Sequence, residues 1–179
     1  MKFRHAFITL ILMSFIHSGC IDKCKDINCN NGFCEEGLCN CQDGWSGENC
    51  SDRASAIFNG AWQGQFNCEE ESTNATLNIL DDPDDLRKIS MNTVGLTLEF
   101  NGLTFDMDDT PLHGTLNNEF TGFTIDTQKF IIDIPNNPGI AVDVYGNGTM
   151  VDLSTIVMLL NVKNDDFGAY FFCDGTVTK

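Results

Sequence analysis

The sequence predicts a mainly β protein, in which a small disulfide-rich module precedes an antiparallel β-barrel or β-sandwich. Three observations predict it. Six of the nine cysteines fall between Cys24 and Cys50. From residue 54 onward, short apolar stretches alternate with clusters of Gly, Asn and Asp. The length of 179 residues accommodates one domain of about 120 residues plus a cross-linked appendage.

Residues 1–19 read as an export signal. Lys2 and Arg4 precede the apolar run Ala6 to Ile16 (AFITLILMSFI), and the small residues Ser18 and Gly19 follow it. Eleven residues fall well short of the roughly 20 needed to span a bilayer, and no later run approaches that length. Ser18-Gly19-Cys20 resembles the end of a bacterial lipobox, whose cysteine is diacylated and becomes the new N-terminus, although His17 stands where that family usually has leucine. The resemblance implies lipidation of Cys20, a membrane partner reached through the anchor, and a cell-envelope location facing the periplasm or the exterior. Ordinary secretory cleavage leaving a free Cys20 thiol is the alternative.

All 26 acidic residues lie beyond the signal, whereas Lys2 and Arg4 leave with it, so the mature chain carries a formal charge of −18. Such a surface repels phosphate backbones and argues against nucleic-acid partners.

The module spans residues 20–53. Between Cys24 and Cys50 the apolar residues are few, chiefly Ile27, Phe33, Leu38 and Trp45, so no core can offset the chain entropy and cross-links must do so. Gly32, Gly37, Gly44 and Gly47, with Asn30-Asn31, supply turns between short strands. Six cysteines admit fifteen pairings. The spacing C-x4-C-x4-C-x4-C-x-C-x8-C, ending Cys39-Asn40-Cys41-Gln42-Asp43-Gly44-Trp45 and then Cys50, closely resembles the EGF-like module. That resemblance implies the pairs Cys24–Cys34, Cys29–Cys39 and Cys41–Cys50. Calcium-binding members of the family carry acidic residues before the first cysteine, but here Ile21-Asp22-Lys23 sets one carboxylate beside a lysine. An oxidising compartment favours disulfides over a zinc cluster.

Residues 54–179 form the all-β domain. Strands are expected at Trp62–Cys68, Ala75–Leu80, Lys88–Met91, Leu96–Phe100, Leu103–Met107, Glu119–Ile125, Phe130–Ile134, Ala141–Tyr145, Ile156–Val162 and Ala169–Cys173. Turns are expected at 101–102, 136–139 and 146–148. The run from Leu153 to Val162 also admits a short helix. With Cys20 acylated, Cys68 and Cys173 remain as a pair in the first and last strands, and a bond between them would hold their α-carbons about 4.4–6.8 Å apart. Gly60-Ala61-Trp62 is similar to the G-x-W opening of lipocalins, which implies a barrel with Trp62 at its floor.

The sequence nominates no catalytic residue, no metal site and no cofactor. His113 is the one histidine beyond the signal, and Thr110-Pro111-Leu112-His113-Gly114 reads as a turn with no nucleophile signature. The acidic groups 81–85, 106–109 and 165–166 read as solvated turns more than calcium sites. The expectation is a non-enzymatic envelope lipoprotein in which the module is a spacer or contact surface for a binding domain. Its partner would be an extracellular protein, a glycan or a small apolar ligand. The alternative is a lipocalin-like carrier holding the apolar ligand inside the barrel, which Trp62 and ten phenylalanines beyond residue 54 motivate.

Overall fold

The computed structural model describes residues 23–69, 71–100, 103–108, 111–134, 137–165 and 168–179. The export signal, Cys20, the expected turn residues Asn101, Gly102 and Asn136, and the carboxylates Asp109 and Asp166 lie outside the described residues.

The N-terminal module consists of two short antiparallel pairs. Strand β1 (Gly32–Glu35) pairs with β2 (Leu38–Cys41), and β3 (Trp45–Ser46) with β4 (Asp52–Arg53). Three disulfides hold them, Cys24–Cys34, Cys29–Cys39 and Cys41–Cys50, with α-carbons 5.8, 5.5 and 5.2 Å apart. Few side chains are buried here apart from Cys50, so the sulfur bridges replace a core.

A five-residue 3-10 turn, Ala54–Phe58, leads directly into the barrel. Its strands are β5 (Gly60–Cys68), β6 (Glu71–Asp81), β7 (Lys88–Val94), β10 (Leu112–Leu116), β11 (Gly122–Ile134), β12 (Asn137–Asp152), β13 (Thr155–Asn164) and β14 (Ala169–Thr178). They close in the order β10-β11-β12-β13-β14-β5-β6-β7, each antiparallel to its neighbour. The hairpin of β8 (Thr97–Phe100) and β9 (Leu103–Asp106) interrupts the sequence between β7 and β10 without joining the wall. The fold is therefore a closed barrel and not a sandwich.

Alternation explains the wall. Ala75, Leu77 and Ile79 on β6 and Ile156, Met158, Leu160 and Val162 on β13 are buried at every second position, and Trp62 and Phe66 on β5 lie on the same inward face with half-buried Gly64 between them. That period of two, with partners on both sides, makes 155–164 a strand and removes the helical alternative for Leu153–Val162. Eight strands enclose a space wide enough to be filled by inward side chains or to hold one small ligand.

Three further expectations are corrected. Leu112–Leu116 is a strand and not a turn, because Leu112 and Leu116 point into the core while His113 faces out. Gly146-Asn147-Gly148 lies within β12, not in a turn: a Cβ on Gly148 would come within 2.3 Å of the Phe123 ring, and one on Gly146 within 2.1 Å of the Leu159 carbonyl oxygen. These glycines make room for neighbours across the wall. Residues 122–134 form one long strand instead of two, bent by a register shift between Ile125 and Gln128.

Cys68 and Cys173 are register partners on β5 and β14, and their disulfide joins the two ends of the barrel sequence. Their α-carbons are 4.1 Å apart, just below the expected range and slightly closer than the roughly 4.5 Å of a non-hydrogen-bonded antiparallel pair.

Candidate functional site

Three places could carry function: the barrel interior, the junction with the module, and a groove beside that junction.

The described core residues of the interior pack into one apolar cluster. At the base, the Trp62 indole N–H donates to the Phe58 carbonyl at 2.6 Å, so the polar edge of this fully buried ring is satisfied. Phe58 stacks edge-on against Phe123 with centroids 5.6 Å apart. The Lys179 ammonium sits 4.9 Å from the Trp62 ring centre and donates to the Ile57 carbonyl at 3.2 Å, which covers the floor from the last strand. At the opposite end, Leu96 and Met107 flank the β8–β9 hairpin and are buried in the same core. The Met107 amide donates to the Leu96 carbonyl at 3.0 Å, and the Thr93 hydroxyl to the Met107 carbonyl at 2.7 Å. Sequence patterning missed this plug, because Leu96 and Met107 sit at the ends of expected strands and carry no periodic signal of a crossing hairpin.

The junction explains the acidic loop. The Asp82 carboxylate accepts from the Asp84 and Asp85 amides at 2.8 and 3.1 Å, and Asp85 accepts from the Arg87 amide at 2.9 Å, so these carboxylates cap their own turn. That leaves the carbonyls of Asp82, Pro83 and Asp85 converging on one point. The Arg53 guanidinium occupies it, donating to all three, at 3.0 Å for Pro83 and 3.1 Å for Asp85. Its Nε pairs with Asp81 at 3.0 Å, as an ion pair whose angle falls outside that of a hydrogen bond. Asn59 fixes Asp81 from the barrel side, donating to its carboxylate at 2.5 Å and accepting from its amide at 2.7 Å.

An oxygen set of this kind suits a cation, and the cation is an arginine. A second clamp lies beside it. Arg87 pairs with Asp43 at 2.5 Å, donates to the Asn118 side chain at 3.0 Å, and stacks 5.3 Å over Phe120. Gly44 lies buried under Leu86, whose side chain comes within 2.8 Å of where a Cβ on Gly44 would stand, and the Gly44 carbonyl accepts from the Ala54 amide at 2.9 Å.

The remaining acidic groups have local roles where described. Asp106 accepts from the Asp108 amide, Asp108 from the Gly95 amide, and Asp165 pairs with Lys163 at 2.6 Å. Lys163 holds Asp165 below the usual carboxylate range. Among the described residues no group of three or more His, Cys, Asp or Glu side chains is placed to hold a metal.

The groove has a volume of about 550 Å³ on the outside of the barrel, floored by Leu80, Pro83 and Ile89 and ringed by Lys88, Ser90, His113 and Asp126. Lys88 donates to Thr115 at 2.6 Å and to Asp126 at 2.8 Å, while the Thr115 hydroxyl donates to Asp126 at 3.0 Å. Burial acts to raise the Asp126 pKa, but the hydrogen bonds from Lys88 and Thr115 outweigh it and hold the carboxyl below its ordinary value. Ser90 is the register partner of His113, yet the imidazole makes no hydrogen bond to a described residue. Asp126 is already engaged by Lys88 and Thr115, so these three groups do not assemble a Ser–His–Asp relay.

No family model matches the chain, and no curated protein matches it. Among solved structures, "Structure of EF1p2_mFAP2b bound to DFHBI" is 14% identical, covering 70% of this chain and 96% of its own, with a TM-score of 0.45. A redesigned beta barrel, mFAP1, bound to DFHBI, is also 14% identical and covers 72% of this chain and 100% of its own, with a TM-score of 0.35. Nothing about ligand or activity follows from either likeness.

Proposed function

We propose that this chain is a non-enzymatic envelope lipoprotein, anchored through Cys20, whose EGF-like module holds the barrel at a fixed distance and angle from the membrane. Binding of an extracellular partner then falls to the outer surface of the barrel. The observation that carries the reading is the double clamp, Arg53 in the carbonyl cage of the 82–85 loop and Arg87 on Asp43. A linker between independently moving domains would have few contacts. Here β4 ends at Arg53 and the 3-10 turn begins at Ala54, with no residue between them.

Two measurements test the proposal. Mass spectrometry of the mature N-terminus should find a lipidated Cys20 peptide, and an unmodified terminus at any other residue ends the anchor reading. Distances between spin labels on the module and the barrel should be narrowly distributed, and a broad distribution would end the spacer reading. The carrier reading makes the opposite demand on the interior: saturable uptake of an apolar dye with quenching of Trp62 would favour it over a filled barrel.

A further inference from the structure

We infer that the module has a second membrane contact of its own: the exposed face of the β1–β2 hairpin rests in the lipid interface beside the anchor. This rests on the proposed acylation of Cys20. Three of the module's few apolar residues are turned outward, with Ile27 39%, Phe33 62% and Leu38 73% exposed. Phe33 pairs with Asn40 and Leu38 with Glu35, which sets Phe33 and Leu38 diagonally on one face. Ile27 reaches to within 4.0 Å of the Cβ position of Gly37, next to Leu38. A groove of about 390 Å³ opens between Ile27, Leu38 and Glu48.

What selects lipid as the occupant is where the chain arrives. Lys23 packs against the same turn, with its Cβ 3.5 Å and its carbonyl oxygen 3.6 Å from the Cβ position of Gly37. Cys20 precedes it by three residues, and three residues extend at most about 11 Å. An acyl group at Cys20 therefore cannot enter a bilayer without bringing Ile27, Phe33 and Leu38 close to its surface.

Local charge gives no attraction to an anionic surface. Between Lys23 and Cys50 the acidic residues Asp26, Glu35, Glu36, Asp43 and Glu48 outnumber Lys23 and Lys25, and the Glu35 carboxylate is occupied by the Asn40 amide at 2.7 Å. Contact is therefore apolar, and neutral phosphatidylcholine is its suitable partner. The diacyl anchor by itself holds the protein to the membrane without setting its orientation, and a second apolar contact adds to the binding and fixes that orientation.

The test uses the lipidated protein on phosphatidylcholine vesicles carrying brominated acyl chains. Leu38→Trp reports on the hairpin and His113→Trp on the barrel, each read against the unaltered protein to subtract Trp45 and Trp62. Flotation with the vesicles checks the anchor. The indole introduced at 38 should lose about half its emission, since interfacial apolar faces sit about 5–10 Å into the headgroup boundary, while the one at 113 should lose almost none. Flotation with equal quenching at the two positions overturns this inference alone, and frees the face for a protein partner. Failure to float overturns the anchor and this inference together.

Discussion

Arg53 shows how one side chain changes the meaning of a motif. The run Asp81-Asp82-Pro83-Asp84-Asp85 has the composition of a calcium loop, but its oxygens are divided between amides of the turn and one guanidinium. The side chain is about one-fifth exposed, so solvent screens only part of the interaction. Arg53→Ala is expected to lower the stability of the barrel base by about 1.5–3 kcal/mol, measured by urea denaturation. Arg53→Lys should recover little, because an ammonium cannot reproduce the planar fork that reaches three carbonyls. Asp126 supplies a second prediction. The hydrogen bonds from Lys88 and Thr115 hold its folded pKa below the ordinary carboxylate value, so its contribution is present above that ordinary value and is lost as pH falls through the folded one. Asp126→Asn should therefore reduce stability at neutral pH and flatten the acid limb below about pH 4. Its partner Lys88 is 40% exposed, which keeps the change modest. An acid limb unchanged by the substitution would count against this pairing.

At the scale of elements, β12 and β10 show why turn signals misled. Glycine marks turns when its freedom of φ is used, but it also marks places where a ring must lie flat on the neighbouring strand. Phe123 covers Gly148 and Phe66 covers Gly175, so both glycines are sockets in the wall, although Gly148 reads as a turn in the sequence. Gly148→Val should destabilise the barrel by about 1–3 kcal/mol through displacement of Phe123, measured as a fall in the thermal midpoint. An unchanged midpoint would mean that the ring has another place to go. Strand β10 is short and carries a glycine, and its first residues follow a proline, so alternation alone did not reveal it. Its ladder to β11 stops at Gly114, and the Gln128 side chain takes over, accepting from the His113 amide at 3.2 Å and donating to its carbonyl at 3.4 Å. The register shift after Ile125 puts that glutamine in place.

For the whole molecule, closure depends on the seam between β14 and β5, which brings residues 105 apart in sequence into register. Such long-range pairing is entropically costly, and the Cys68–Cys173 bond limits that cost in the unfolded chain. Cys173→Ser should destabilise the barrel by about 2–5 kcal/mol in denaturant, while the module, with its own three bonds, keeps its fold. Simultaneous loss of both units at the lower midpoint would show that the Arg53 and Arg87 clamps couple them into one cooperative unit.

Composition and spacing were enough to establish a cross-linked module ahead of a mainly β domain. Both follow from local facts: too few apolar residues to make a core before residue 51, and apolar stretches between turn residues after it. The choice of barrel over sandwich, the pairing of β7 with β10 around the β8–β9 hairpin, and the seating of Arg53 in the 82–85 loop were decided only by tertiary structure. Each depends on contacts between residues far apart in the chain. A period of two says which face of a strand is buried, but it carries no information about which strand lies beside it.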